Sequence, residues 1–245
     1  MHHRPKITII IPMAGRGKRI SDAKIEVPKP LVKIKGKYMF EWAMKSLEFY
    51  DETIDKLIFI CLKEHIKEYG IDKILKEKFP KCKIISITKV TKGQACTVLL
   101  AKKEIDENPL VIFNTDTYFT SGLKEKILDK KLKFDGIISV FDNDNIKYSY
   151  ARIGQDNFIE EVAEKKVISN HATAGMYYFS KGSDFIWAAD QMIKKNITVN
   201  KEFYVGPTYN ELILKGKKFI IDKVESIWDL GTIENIMLFE KEKSY

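Results

Sequence analysis

A chain of 245 residues with 44% hydrophobic content can bury one substantial core, and one α/β domain is the simplest organisation for it. The formal charge of +8 comes from lysines spread along the whole chain beside acidic residues, with no aromatic-basic module, which sets nucleic-acid binding aside. No apolar run approaches the roughly 20 residues that span a bilayer, and no cleavage site follows the first apolar run, so no membrane partner and no signal peptide are expected. Cys61, Cys82 and Cys96 are odd in number and unpaired in spacing, which indicates a reducing, cytoplasmic setting.

In chain order, Ile7–Ile11, Lys56–Cys61, Lys83–Thr88, Leu110–Phe113 and Gly136–Phe141 read as strands, rich in Ile, Val and Phe. Between them, Met39–Tyr50, Lys63–Phe79, Gln94–Ile105 and Leu123–Leu132 carry apolar residues at helical spacing. Strand and helix in alternation predict right-handed crossovers and a mostly parallel central sheet covered on both faces. The second half is less regular. Tyr150–Ala163 reads as a hairpin around Gly154-Gln155-Asp156-Asn157, followed by a strand at Ala172–Phe179, helices at Ser183–Lys195 and Phe203–Leu214, a strand at Lys217–Lys223 and a last helix at Thr232–Lys243. No repeat and no hexapeptide β-helix pattern follows, so no second catalytic domain is expected.

Ligands of parallel sheets sit at the carboxyl ends of strands, which places two loops on one rim. The first is Met13-Ala14-Gly15-Arg16-Gly17-Lys18-Arg19. Gly15 and Gly17 let main-chain N–H groups approach phosphate oxygens, Arg19 offers a planar fork, and Lys29 in Pro28-Lys29-Pro30-Leu31 adds a compact cation, a set suited to a triphosphate. The same glycines also serve a plain strand-to-helix turn. The loop matches neither G-x-x-x-x-G-K-[ST] nor G-x-G-x-x-G, since position 20 is Ile20. The second loop follows Val111-Ile112-Phe113 and holds Asn114, Thr115 and Asp116, whose carboxylate can bind Mg²⁺ through one oxygen. Alone, Asp116 reads equally as a cap or turn residue. Asp229, in Ile227-Trp228-Asp229-Leu230-Gly231-Thr232, supplies a second acid, and two carboxylates on one metal suit phosphoryl or nucleotidyl transfer. His65 and His171 lack metal-ligand spacing and read as structural or surface residues. Trp187 and Trp228 read as packing residues, and Tyr148, Tyr150, Tyr177 and Tyr178 as either core or pocket lining.

Taken together, these segments resemble the sugar-phosphate nucleotidyltransferases, the NDP-sugar pyrophosphorylase-like family, nearly end to end. Ala14–Arg19 resembles the family's G-G-x-G-T-R loop, and Pro28–Leu31 its K-P-L element. Gly93-Gln94-Ala95 resembles its G-x-A segment near base and ribose; Asn114-Thr115-Asp116 falls where the metal-binding Asp follows the fourth strand. Glu164-Lys165-Lys166 resembles E-K-P, Ala174–Phe179 the strand lining the acceptor pocket, and Asp229-Leu230-Gly231-Thr232 matches D-x-G-T.

The resemblance implies a Rossmann-like, GT-A-like three-layer fold of the α/β class, with a smaller acceptor-binding β region in the second half. About residues 1–120 would form the nucleotide half and about 121–245 the acceptor half of one domain. It assigns Arg19 and Lys29 to catalysis, and Met13, Ala14, Gly15, Arg16, Gly17, Lys18, Gly93, Gln94, Asn114 and Thr115 to the nucleotide. Glu164, Lys165, Gly175 and Tyr177 would bind the acceptor, and Asp116 and Asp229 the Mg²⁺ cofactor. The acceptor phosphate would attack the α-phosphorus of an NTP in line, with release of pyrophosphate. A phosphate monoester is already largely dianionic at neutral pH, so no general base is required.

Gln94 carries both donor and acceptor and can pair with a pyrimidine edge; with the compact chain, this favours CTP. The acceptor is expected to be a sugar 1-phosphate or a non-sugar such as phosphocholine or phosphoglutamine, in capsule or surface-glycan biosynthesis. Ala14, Lys18 and Lys166 depart from the family pattern, the last two pointing to an unusual acceptor or phosphate arrangement. The turn Glu202–Asn210 is placed over the acceptor. Relatives often form homo-oligomers, a point the sequence leaves open. Two rivals are a GT-A glycosyltransferase using an NDP-sugar, for which a triphosphate cradle is superfluous, and a non-catalytic nucleotide-binding protein.

Overall fold

Ile7–Pro12 (β1) is an apolar run with buried residues pointing both ways, and it lies inside the main sheet. Its odd-numbered side chains Ile7, Ile9 and Ile11 join one core cluster with Phe40, Phe59, Val111 and Phe113, while Ile10 joins a second with Ile58, Ile60, Ile112 and Phe185. Period-two alternation thus feeds two apolar layers, one on each face of the sheet. The structure, a computed structural model, describes residues 6–15, 27–47, 54–129, 131 and 133–242.

The other strands are Lys33–Ile34 (β2), Lys37–Tyr38 (β3), Ile54–Leu62 (β4), Lys83–Ile87 (β5), Leu110–Phe113 (β6), Thr117–Thr120 (β7), Gly136–Asp142 (β8), Ser149–Ile153 (β9), Ile159–Glu164 (β10), His171–Phe179 (β11), Phe219–Lys223 (β12) and Ser226–Asp229 (β13). The nine-stranded sheet runs β10-β9-β11-β6-β1-β4-β5, with β8 pairing β11 and β12. Pairing is parallel across β6-β1-β4-β5 and between β8 and β12, and antiparallel where β11 meets β6, β8 and β9. The hairpin expected after Tyr150 is β9–β10.

The helices are Met39–Lys45 (α1), Lys63–Tyr69 (α2), Ile71–Lys78 (α3), Gln94–Leu99 (α4), Leu123–Leu128 (α5), Gly182–Lys194 (α6), Thr208–Ile213 (α7) and Ile233–Glu242 (α8). Several are shorter than their apolar spacing predicts. The run Lys63–Phe79 breaks at Gly70, whose φ of 60° caps α2 in the left-handed region. Gln94–Ile105 becomes α4 and a separate 3₁₀ turn at Lys102–Glu104. The helix expected from Phe203 begins only at Thr208, because Phe203 is held by main-chain bonds to Lys92 before α4 and to Ala95 in its first turn.

Two small ribbons complete the fold, β2–β3 and β7–β13, neither of which the apolar pattern announces. The second packs into its own cluster, where Trp42, Tyr118, Leu230, Ile236 and Phe239 are buried. There Trp228 stacks on Tyr118 with ring centroids 5.2 Å apart. This packing sets the end of β13, and with it Asp229.

Candidate active site

At the carboxyl edge of β1 and β6 the sheet opens into a cleft of about 380 Å³, within the range of small-molecule sites. Ala14, Gly15, Gly93, Gln94, Asn114, Thr115, Asp116, Glu164, Lys165, Gly175, Tyr177 and Asp229, all singled out by the sequence, line it together. Met13 differs: its side chain lies in the core at 2% exposure, and its main-chain N–H donates to the Ile60 carbonyl at 2.8 Å. Arg16, Gly17, Lys18 and Arg19 lie outside the described residues.

The two acids are brought together by the β7–β13 ribbon. Asp116 directly precedes β7, Asp229 ends β13 opposite Thr117, and the Leu230 N–H donates to the Asp116 carbonyl at 2.7 Å. The Lys29 ammonium, delivered by the 3₁₀ turn at Lys29–Leu31, makes an ion pair with the Asp116 carboxylate. Lys147 donates to Asp229 Oδ2 at 2.8 Å, as does the Tyr148 hydroxyl at 2.8 Å, while the Gly231 N–H reaches Asp229 Oδ1 at 2.8 Å. A Cβ on Gly231 would stand 2.7 Å from Asp229 Oδ1, 3.4 Å from Lys29 Nζ and 3.7 Å from Asp116 Oδ2. Both carboxylates and Lys29 therefore converge on bare backbone at Gly231.

Burial opposes ionisation of Asp229, yet the bonds from Lys147, Tyr148 and the Gly231 N–H outweigh it and hold the carboxyl below the usual Asp value. Burial pushes the Tyr148 hydroxyl up to about 12, so it remains a donor at neutral pH. Glu164, buried at 9% exposure and hydrogen-bonded to the Ser149 hydroxyl, is shifted upward by burial against the opposing pull of Ser149 and Lys165.

Two glycines permit close approaches around the cleft. Gly93 has φ 126°, and a Cβ there would lie 2.4 Å from the Phe203 carbonyl oxygen; Gly175 has φ 77°, with Asn114 Nδ2 only 2.2 Å from the same position. Gln94 Nε2 donates to Asn114 Oδ1 at 2.5 Å, linking these loops. On the opposite wall Lys165 Nζ donates to the Tyr204 hydroxyl at 2.6 Å.

Lys147 was not anticipated as part of the site. It sits in an ordinary polar stretch before β9, and only the fold carries it to Asp229. Glu202 and Tyr204 also line the cleft, from the turn that the sequence placed over the acceptor. Tyr150 and Tyr178 are core residues instead, and His65 is buried beside Tyr69. Among the described residues no group of three or more His, Cys, Asp or Glu side chains could hold a metal.

The nucleotidyl transferase family model matches residues 8–238. The bifunctional protein GlmU of Methanococcus maripaludis is 32% identical over 173 residues, covering 69% of this chain and 39% of that protein. The chain thus spans well under half the length of the curated relatives it matches. A solved nucleoside-diphosphate-sugar pyrophosphorylase from Vibrio cholerae RC9 superposes with a TM-score of 0.81 at 25% identity, over 96% of this chain and 100% of the other. The inositol-1-phosphate CTP transferase from T. maritima superposes with a TM-score of 0.75 over 100% of both chains, at 15% identity, a likeness of fold alone.

Proposed function

The chain belongs to the nucleotidyl transferase family, and from that premise we propose that it transfers a nucleoside monophosphate from an NTP, CTP by preference, to the phosphate of a small phosphorylated acceptor. In this reading an acceptor phosphate oxygen bonds to the α-phosphorus while the bond to the leaving pyrophosphate breaks. The single observation that carries it is the convergence of Asp116, Asp229 and Lys29 over the bare backbone of Gly231.

Two hard carboxylates with room beside them suit Mg²⁺, which keeps several waters and shares its remaining positions with substrate phosphates. When bound it would neutralise phosphate charge, with Asp116 and Asp229 as its protein ligands. Lys29, already at the same point, would take a phosphate oxygen, and Gly15 offers backbone on the same cleft, with nothing among the described residues within 4 Å of a Cβ there. Arg19 is proposed to meet the same triphosphate. With its Nε2 engaged by Asn114, Gln94 presents its carbonyl oxygen as an acceptor, which suits the amino group of cytosine. Lys165, across the cleft, would hold the attacking phosphate, with Glu164, Gly175 and Tyr177 around the rest of the acceptor. Catalysis then rests on alignment and charge neutralisation, without a general base. A sugar 1-phosphate is the favoured acceptor class, in keeping with the name of the nucleoside-diphosphate-sugar pyrophosphorylase on which the chain superposes. No helix among the described residues is long and apolar enough to cross a membrane.

The test is pyrophosphate release from each of CTP, UTP, dTTP, GTP and ATP with Mg²⁺ and a panel of sugar 1-phosphates, inositol 1-phosphate, phosphocholine and phosphoglutamine. Release with CTP and one acceptor, lost in Asp116→Asn, is the expected result. Silence with every pair, together with turnover of an NDP-sugar, would replace this reading with a glycosyltransferase.

A further inference from the structure

The side chain of Lys165 is restrained from several directions. Its backbone sits in the left-handed region with φ 52°, and its N–H donates to the Tyr148 carbonyl at 3.0 Å. Non-glycine residues hold that conformation only where surrounding structure determines it. Its ammonium lies 4.7 Å from the centroid of the Tyr204 ring and donates to the Tyr204 hydroxyl at 2.6 Å. That hydroxyl in turn donates to the Glu202 carboxylate.

The segment carrying Glu202 and Tyr204 is itself clamped. The Phe203 N–H donates to the Lys92 carbonyl at 2.8 Å, and the Ala95 N–H donates to the Phe203 carbonyl at 3.0 Å. Phe203 is buried at 6% exposure, while its neighbours Glu202 and Tyr204 line the cleft. Alternation along the short stretch thus anchors the middle residue in the core and turns the flanking two toward Lys165.

We propose that Tyr204, oriented by Glu202, is a positioning residue that fixes the Lys165 ammonium for the acceptor phosphate. A carboxylate accepting the tyrosine proton strengthens the hydroxyl oxygen as an acceptor for the ammonium. A lysine ammonium has three N–H groups, so one bond to Tyr204 leaves two for phosphate. Freed of Tyr204, the four-carbon stem would regain rotamers that phosphate binding must then freeze. Because Phe203 is pinned to the Gly93 loop, the same clamp sets Lys165 against the loop assigned to the nucleotide. The inference rests on the assignment of Lys165 to the acceptor phosphate.

The experiment is site-resolved acetylation of lysines in the full chain by a water-soluble N-hydroxysuccinimide acetate, read by mass spectrometry, with and without inorganic phosphate. Tyr204→Phe keeps the ring and removes the hydroxyl. It should raise Lys165 labelling about tenfold, the factor carried by one charge-assisted hydrogen bond, and raise the phosphate concentration that half-protects Lys165 by a similar factor. Glu202→Gln should give a smaller rise, and the labelling of other lysines and the melting temperature should stay unchanged. Unchanged Lys165 labelling in both folded variants would overturn the proposal. If phosphate fails to protect Lys165 in the unmodified protein, the acceptor role of Lys165 falls, and the labelling ratio alone still decides whether Tyr204 restrains it.

Discussion

The Leu230 N–H donates to the Asp116 carbonyl at 2.7 Å, a main-chain tie that holds the last residue before β7 against the first residue beyond β13. It fixes the separation of Asp116 and Asp229 through backbone and leaves their carboxylates to pair with Lys29 on one side and with Lys147 and Tyr148 on the other.

If the two acids share one cation, losing either should be catastrophic for turnover and mild for folding. Asp116→Asn and Asp229→Asn are each expected to lower kcat by at least about 10²-fold, comparable to removing one strong transition-state contact. Arg19→Ala should cost as much. Initial rates of pyrophosphate release check this, and near-normal rates in all three would contradict it.

Gly93→Ala tests the clamp between the α4 loop and Phe203. The new methyl would meet the Phe203 carbonyl oxygen at 2.4 Å at a φ of 126° that favours glycine. Strain of this kind costs about 2 kcal/mol, or roughly 4–8 °C in melting temperature for a chain of this size. Thermal denaturation should show that loss.

The pH dependence of stability separates Asp229 from Glu164. Asp229 is held below its ordinary value of 3.8, so its contribution is present above that pH and is lost as pH falls through the lower folded value. Glu164 is raised above 4.5, so its favourable contribution exists below that pH and disappears as pH rises through the raised value. Glu164→Gln keeps an oxygen for Ser149 and removes the buried charge. It should therefore melt higher than the unmodified protein at pH 7.5, with the advantage vanishing toward pH 4. Asp229→Asn should melt lower at pH 7.5, with the deficit closing as pH falls below the ordinary 3.8 and through the lowered folded value. Melting curves across that range decide both.

The parallel half of the sheet was legible because buried strands of Ile, Val and Phe alternate with helical spacing, and Leu110–Phe113 falls where that pattern places it. The site segments were legible because strand ends in such sheets face one crevice, which is where Asn114 to Asp116 lies. What the sequence hides is long-range pairing. Thr117–Thr120 is too short to stand out and becomes a strand only against Ser226–Asp229. Lys147 looks like a solvated lysine until that ribbon brings Asp229 to it. The helix expected at Phe203 fails because two main-chain bonds hold Phe203 in place before Pro207 allows a turn to begin.

The most direct measurement is the thermal shift of the purified protein with Mg²⁺ and each of the five NTPs, because a ligand at about 100 times its Kd adds roughly 2.7 kcal/mol to stability. Selective stabilisation by CTP that depends on Mg²⁺ and disappears in Asp116→Asn is the expected result. No shift with any NTP, alongside a shift with an NDP-sugar, would contradict it.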